Sequence, residues 1–275
     1  MISERVRLAL LYAALGLVVV ASGCDPQRYL RGSPAAPELQ EASRKYETGQ
    51  ISAALAELDK AIKARPSDPE VYLTVADWCL QHNQPHRAIS YAERGLEATP
   101  GAPARIHAAL YSVKGAALQT IGDLREAVAA HQAALKLVPE EPTFKNNVAY
   151  AMTELAESDA MLAQAESLAV EAVESARSAG AEPATLGVFL DTLGWVQFKR
   201  GDLRQALVNL TRAADGAPDQ PDILYHLALA YLAQGRRPDA IVMLERALKL
   251  KPNFAEASRR LSELRGTPEP RITPR

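Results

Sequence analysis

The best candidates for chemistry in this chain are two histidines, His82 and His86. They are four residues apart, a spacing that places two metal ligands on one side of a helix. Pro85 stands between them in the stretch HNQPH, and a proline disfavours a helix that continues through both histidines. We therefore expect a solvent-exposed turn at this point, with a zinc site as the alternative.

Motifs of catalysis are missing from the sequence. It contains no G-x-S-x-G nucleophile turn, no G-x-x-x-x-G-K-[ST] phosphate loop and no H-E-x-x-H metal motif. We expect no enzyme activity, no cofactor, no metal and no small-molecule substrate. The 31 basic and 33 acidic residues give a net charge of −2, which argues against a nucleic-acid binder because such proteins carry a basic excess.

Cys24 follows an N-terminal segment that is typical of secretion. Arg5 and Arg7 precede an apolar run at 8–21. This run is shorter than the roughly 20 residues that a membrane-spanning helix needs, so it predicts a signal peptide at 1–23. The stretch ASGC that ends at Cys24 resembles a bacterial lipobox. This resemblance implies cleavage before Cys24 and a lipid on its thiol. An uncleaved anchor and ordinary signal-peptide cleavage are the alternatives.

The segment after Cys24 predicts where the protein resides. Asp25 resembles the signal that retains enterobacterial-type lipoproteins in the inner membrane. We therefore expect a lipid-anchored protein on the periplasmic side of the bacterial cell envelope, in the inner membrane, with the outer membrane as the alternative. Several prolines at 24–37 predict a tether, and the proline-rich stretch 265–275 predicts a disordered tail.

The rest of the chain is repetitive. The stretch GDLR occurs at 122–125 and at 201–204, and an alignment on it brings small residues to three fixed positions in six copies. This pattern resembles the tetratricopeptide repeat (TPR), a helix–turn–helix unit of about 34 residues. The resemblance implies an all-α solenoid, a right-handed superhelix, over 38–264. The predicted repeats lie near 35–68, 69–102, 108–141, 142–179, 187–220 and 221–254, with an extended linker at 175–187 and a capping helix at 254–264.

The register of the repeats also predicts local roles. GDLR falls on the turn between the two helices of a repeat, so the glycine should end one helix in a left-handed conformation and the aspartate should cap the next. Gly122 and Asp123 form the first of these turns, and Gly201 and Asp202 form the second. Two reactive residue types, Cys79 and His131, fall at apolar helix positions, and we predict that they belong to the core.

In a TPR, some positions of the first helix point away from its hairpin partner and line a concave groove. In repeats four to six these positions include Asn146, Tyr150, Asp191, Trp195, Phe198, Tyr225 and Leu229. Aromatic residues make up only 5% of the chain, and large amphipathic rings are favoured anchors of binding surfaces. We expect a protein or peptide partner in this groove. The alternative is that some rings pack against a neighbouring helix or the linker.

The groove also lacks one well-known recognition device. Chaperone-binding TPR domains hold a C-terminal carboxylate with a Lys/Asn clamp, whereas Ser43, Asp77 and Ala116 occupy the corresponding positions here. A partner that presents its C-terminal carboxylate in that manner is therefore disfavoured.

The two resemblances together imply a function. The stretches 146–157 and 189–207 look like a TPR subtype of bacterial envelope lipoproteins, some of them linked to exopolysaccharide loci. The expected role is a membrane-anchored scaffold for protein–protein interaction in the cell envelope. The alternative is a pilot or chaperone lipoprotein that assists assembly of a secretion, pilus or exopolysaccharide export complex.

Overall fold

A computed structural model describes residues 36–266 of the chain. The signal peptide, Cys24, Asp25 and nearly all of the tether and tail lie outside the described residues. Within 36–266 all regular secondary structure is helical, in thirteen helices with no strand. The expected fold class, an all-α solenoid of TPR-type hairpins, is confirmed.

The described residues form two compact units, 36–175 and 176–266. The first contains α1 Ala36–Glu47, α2 Ile51–Ala64, α3 Pro69–Gln81, α4 Pro85–Ala98, α5 Ala104–Ile121, α6 Leu124–Leu137, α7 Pro142–Leu155 and most of α8 Asp159–Ser178. The second contains α9 Pro183–Lys199, α10 Leu203–Gly216, α11 Pro221–Ala233, α12 Arg237–Leu250 and α13 Ala255–Gly266. The predicted linker at 175–187 is mostly helical, since only 179–182 separate α8 from α9.

Odd-numbered helices from α1 to α11 are the first helices of the hairpins, and the even-numbered helices follow them. In both units first helices pack on hairpin partners, as α3 does on α4 and α9 on α10. Consecutive first helices also pack on each other, as α3 does on α5 and α9 on α11. Several helices have a proline in the first turn, where its missing N–H leaves no hydrogen bond unmade. They are the first helices α3, α7, α9 and α11 and the second helices α4 and α12.

The two GDLR turns behave alike at the glycine and differently at the aspartate. Gly122 and Gly201 have φ of 89° and 84°, the left-handed conformation that was predicted. The Asp202 side chain accepts a hydrogen bond from the Gln205 amide at 3.1 Å, so the predicted cap is confirmed there. Asp123 makes no side-chain capping hydrogen bond, and the prediction is wrong for that residue.

Small residues allow the two helices of a hairpin to approach closely. A Cβ atom on Gly95 would lie 2.7 Å from Tyr72 Cβ, and one on Gly194 would lie 2.7 Å from Leu210 Cγ. Alanines at the equivalent positions of other repeats, such as Ala61 for Gly95 and Ala76 for Gly194, are fully buried. Contacts this short explain why glycine and alanine recur at fixed positions of the repeat.

Candidate partner-binding surface

A stack of three rings joins α9 and α11 in unit 176–266. Trp195 on α9 lies nearly parallel to Phe198, with ring centroids 5.2 Å apart, and to His226 on α11, with centroids 4.2 Å apart. Trp195 is buried, whereas Phe198 at the end of the stack is half-buried. Lys199 Nζ lies 5.1 Å from the centroid of the Trp195 ring, within the range of a cation–π interaction. The stack therefore has a covered end at His226 and a partly open end at Phe198.

Asp191 also fixes the position of His226, through hydrogen bonds to the imidazole. The carboxylate of Asp191 is completely buried, and His226 Nδ1 donates to both of its oxygens at 3.0 Å. The stacking on Trp195 and this hydrogen bond together fix the imidazole between α9 and α11. Asp191 thus joins two consecutive repeats.

Tyr225 and Leu229 share α11 and are both half-buried. The ring of Tyr225 lies 5.1 Å from that of Phe254, centroid to centroid. Close by, Lys251 Nζ is 3.8 Å from the Asp222 carboxylate, whose pKa is raised by burial although the lysine opposes this shift. The half-buried side chains of this unit that were predicted to line a groove are therefore Phe198, Tyr225 and Leu229.

The other two predicted groove residues belong to unit 36–175. Tyr150 on α7 is half-buried, whereas Asn146 is 1% exposed. Neither the amide nitrogen nor the oxygen of the Asn146 side chain has a hydrogen-bond partner among the described residues. The next residue, Asn147, donates to Ser112 Oγ on α5 at 3.0 Å. A binding role for all seven predicted residues stays a prediction.

An aromatic cluster in unit 36–175 was not anticipated. His82 stacks on Trp78 with ring centroids 3.7 Å apart, and its Nδ1 donates to the Trp78 carbonyl oxygen at 2.8 Å. The Tyr46 hydroxyl donates to the His82 carbonyl oxygen at 2.8 Å, which ties α1 to the end of α3. Burial lowers the pKa of His82. His86 is solvent-exposed as predicted, but it lies in the first turn of α4 and not in the turn between the helices. His82 does lie in that turn and is half-buried, so the prediction of a solvated residue is wrong there.

Two predicted core residues are confirmed. His131 is 1% exposed, Nε2 donates to Gln119 Oε1 at 3.0 Å, and burial lowers the pKa of the imidazole to about 4. Cys79 is fully buried, and burial raises the pKa of its thiol to about 12, so little reactive thiolate forms at neutral pH. No group of three or more His, Cys, Asp and Glu side chains within 36–266 is arranged to hold a metal ion.

Polar pairs at one constant spacing join first helices of consecutive repeats. Each pair spans 35 residues, one repeat length plus one residue. The pairs are Ser43 with Trp78, Ser112 with Asn147, and Asp191 with His226. Neither Trp78 nor His226 was predicted to be a hydrogen-bond partner of a groove residue, although each lies 35 residues after one, Ser43 and Asp191 respectively.

Comparison with known proteins supports the repeat assignment at both ends of the described region. Models of the tetratricopeptide repeat match residues 39–103 and residues 197–264. The chain therefore contains TPR repeats. No curated protein matches the sequence. Within 36–266, no helix has the length and apolar character needed to cross a membrane.

Solved structures with a similar fold are TPR proteins and related helical assemblies. The APC/C hetero-tetramer Cut9–Hcn1 aligns with a TM-score of 0.64 at 16% identity, over 90% of this chain and 45% of that chain. TTC0263 of Thermus thermophilus aligns with 0.58 at 19% identity, over 72% and 98% respectively. The human IFIT1 dimer with m7Gppp-AAAA aligns with 0.61 at 18% identity, over 82% and 54%. At these identities the likeness shows the fold alone, and the chain spans less than half of the Cut9–Hcn1 chain.

Proposed function

We propose that the protein is a membrane-anchored scaffold that binds a peptide or helix of a partner protein on the faces of its first helices and has no catalytic role of its own. The TPR fold supports a protein or peptide partner. The observation that carries the proposal is the set of half-buried apolar side chains on α9 and α11, namely Phe198, Tyr225 and Leu229. A partly covered ring that a stack holds in place, as Trp195 holds Phe198, is suited to anchor a partner at low cost in entropy.

Two substitutions on this surface test the binding role. Phe198→Ala combined with Tyr225→Ala should reduce the amount of partner recovered after cross-linking in cells and affinity purification. The control is Val208→Ala, which removes an apolar side chain that is 49% exposed on α10 of the same unit. Circular dichroism should remain close to wild type in both variants. Unchanged recovery in the double variant, with the fold intact, would contradict the proposal.

We further propose that a lipid on Cys24 anchors this scaffold to the periplasmic face of the cell envelope, with Asp25 favouring the inner membrane. The support is the lipobox-like stretch that precedes Cys24. Metabolic labelling with a fatty acid should mark the wild type and not Cys24→Ser. Cys79→Ala is the matched control, because it removes the other cysteine of the chain and should leave the label in place. Equal labelling of Cys24→Ser and wild type would rule out this anchor.

A further inference from the structure

Asp77 on α3 has an unusual environment for a carboxylate. Its Oδ1 atom is fully covered and has no hydrogen-bond partner among the described residues, whereas a Gln81 amide donates to Oδ2 at 2.6 Å. Desolvation by burial raises the pKa of Asp77 to about 7, and no charged neighbour contributes to the shift. A buried acceptor without a donor is rare in native proteins and costs free energy.

The repeat register explains how Asp77 lost its donor. Ser43, one repeat earlier, accepts a hydrogen bond from Trp78 on the next first helix at 2.8 Å. Asp77 occupies the position of Ser43 in the second repeat. Ala117 occupies the position of Trp78 in the third repeat, and its methyl side chain has no hydrogen to donate. A carboxylate with one covered, unpaired oxygen thus stands where the neighbouring repeat places a satisfied hydroxyl.

The charges on the first helices of unit 36–175 are unevenly paired. Every lysine and arginine on α1, α3, α5 and α7 forms an ion pair. The pairs are Arg44 with Glu41, Lys45 with Glu57, Arg105 with Glu141, Lys114 with Glu93, and Lys145 with Glu171. Glu47 and Glu70, in contrast, have no ion-pair partner within the described part of the chain. The uncompensated charge on these helices is therefore negative.

Glu70 and Asp77 share one face of α3, because seven residues make two helical turns. They are separated by about 10 Å along the helix axis. The sequence register assigns this face to the groove, and Leu73 lies between the two carboxylates. Glu70 is exposed and Asp77 is partly exposed as a residue.

We propose that this face of α3 binds a basic segment of the partner protein, with one lysine or arginine at Asp77 and a second at Glu70. The proposal rests on the proposed function, since it names the chemistry of the peptide that the scaffold holds. A cation that displaces the cover of Oδ1 supplies the donor that this atom lacks, through a charge-assisted hydrogen bond in a poorly solvated site. The same charges repel an acidic peptide, which gives the surface selectivity.

Selection of displayed random peptides tests the proposal. Phage-displayed dodecapeptides are selected against the immobilised full chain, against Asp77→Asn and against Asp123→Asn. Asp123 is the matched control, because it is an exposed aspartate of the same unit outside α3. Peptides selected by wild type and by Asp123→Asn should be enriched in lysine and arginine over aspartate and glutamate. The peptides selected by Asp77→Asn should lose most of this bias.

The affinity of one selected peptide for wild type and for each variant then measures the contribution of each carboxylate separately. Fluorescence anisotropy should show a loss of about tenfold or more for Asp77→Asn and a smaller loss for Glu70→Gln, whose exposed site leaves the fold unaffected. Affinity that is unchanged in both variants overturns the proposal. Enrichment without a basic bias overturns the proposal and leaves the proposed function standing. No enrichment over the bare support counts against both.

Discussion

At the scale of single residues, Asp77 lowers the stability of the folded state in a pH-dependent manner. Its pKa of about 7 exceeds the ordinary value of 3.8, so between these values the folded state retains a proton that the unfolded state has released. Stability therefore falls as the pH rises from about 4 to about 7, and the deficit is complete at higher pH. The shift in pKa sets an upper bound of about 4 kcal/mol on the unfolding free energy that is lost when Asp77 ionises. The partial exposure of the residue places the real value below this bound.

Asp77→Asn should consequently raise the free energy of unfolding at about pH 8 and change it little at about pH 4, where the native aspartate is protonated in the folded state and about half protonated in the unfolded state. Urea denaturation at the two pH values measures the difference. Asp123→Asn is the control and should have little effect at either pH. An equal gain at both pH values would show that the charge of Asp77 is not the cause. A variant that is more stable and binds a basic peptide less well would place Asp77 among residues kept for function at a cost in stability.

At the scale of helices and turns, the two GDLR turns form a natural comparison. Asp202 caps α10 through the Gln205 amide, and Asp123 makes no equivalent bond at the start of α6. Asp202→Ala should therefore lower the free energy of unfolding by about 1 kcal/mol, and Asp123→Ala should lower it by clearly less. Urea denaturation of the two variants provides the measurement. Equal losses would mean that the aspartates act through something other than a side-chain cap.

The same turns show what a sequence can reveal about an element. The left-handed glycines at 122 and 201 follow from the residue type and the repeat register, since glycine tolerates this conformation best. Whether the following aspartate reaches an amide depends on the rotamer of its side chain, and the GDLR sequence shared by the two turns does not determine that rotamer. The small residues at the helix crossings were predictable for a related reason, because only glycine and alanine permit helices to approach so closely.

The tertiary partners of the candidate site were harder to predict. The sequence assigned Trp195 to a groove, and the stack with Phe198 and His226 leaves this ring largely buried. His82 was placed in a turn because Pro85 follows it, although stacking on Trp78 covers it. The contact between Trp195 and His226 joins consecutive repeats, and it emerges only when each first helix is aligned with the next. The contact between Trp78 and His82 is local, since four residues place both rings on one side of the end of α3.

At the scale of the whole molecule, the two units differ in the surfaces they offer. Unit 36–175 presents uncompensated carboxylates on α1 and α3, whereas unit 176–266 presents half-buried rings on α9 and α11. Lys199 and Lys251 lie over aromatic rings of the second unit. A partner that engaged both surfaces would need a basic segment and an apolar segment. This combination is a stricter requirement than either surface imposes alone.

The pH response of the molecule provides the last prediction. Burial lowers the pKa of His82 and lowers that of His131 to about 4, so the unfolded state takes up protons below the ordinary value of 6.5 before the folded state does. Their contribution to stability is present above about pH 6.5 and is lost as the pH falls towards about 4. Asp77 acts in the opposite direction over part of this range, so the histidine effect is best measured in the Asp77→Asn variant.

In that background, unit 36–175 should lose about 2 kcal/mol of unfolding free energy through His131 alone between about pH 7.5 and about pH 5. Trp78 fluorescence reports on this unit once Trp195→Phe has removed the other tryptophan from the chain. Adding His131→Gln should flatten the pH dependence, and His86→Gln, at an exposed site, should leave it unchanged. If the unfolding free energy of the His131→Gln variant fell with decreasing pH as steeply as before, His131 would not be the source of the pH dependence. The imidazole beside Gly115 would then be protonated in the folded state as readily as in the unfolded chain, although burial of this ring disfavours its charged form.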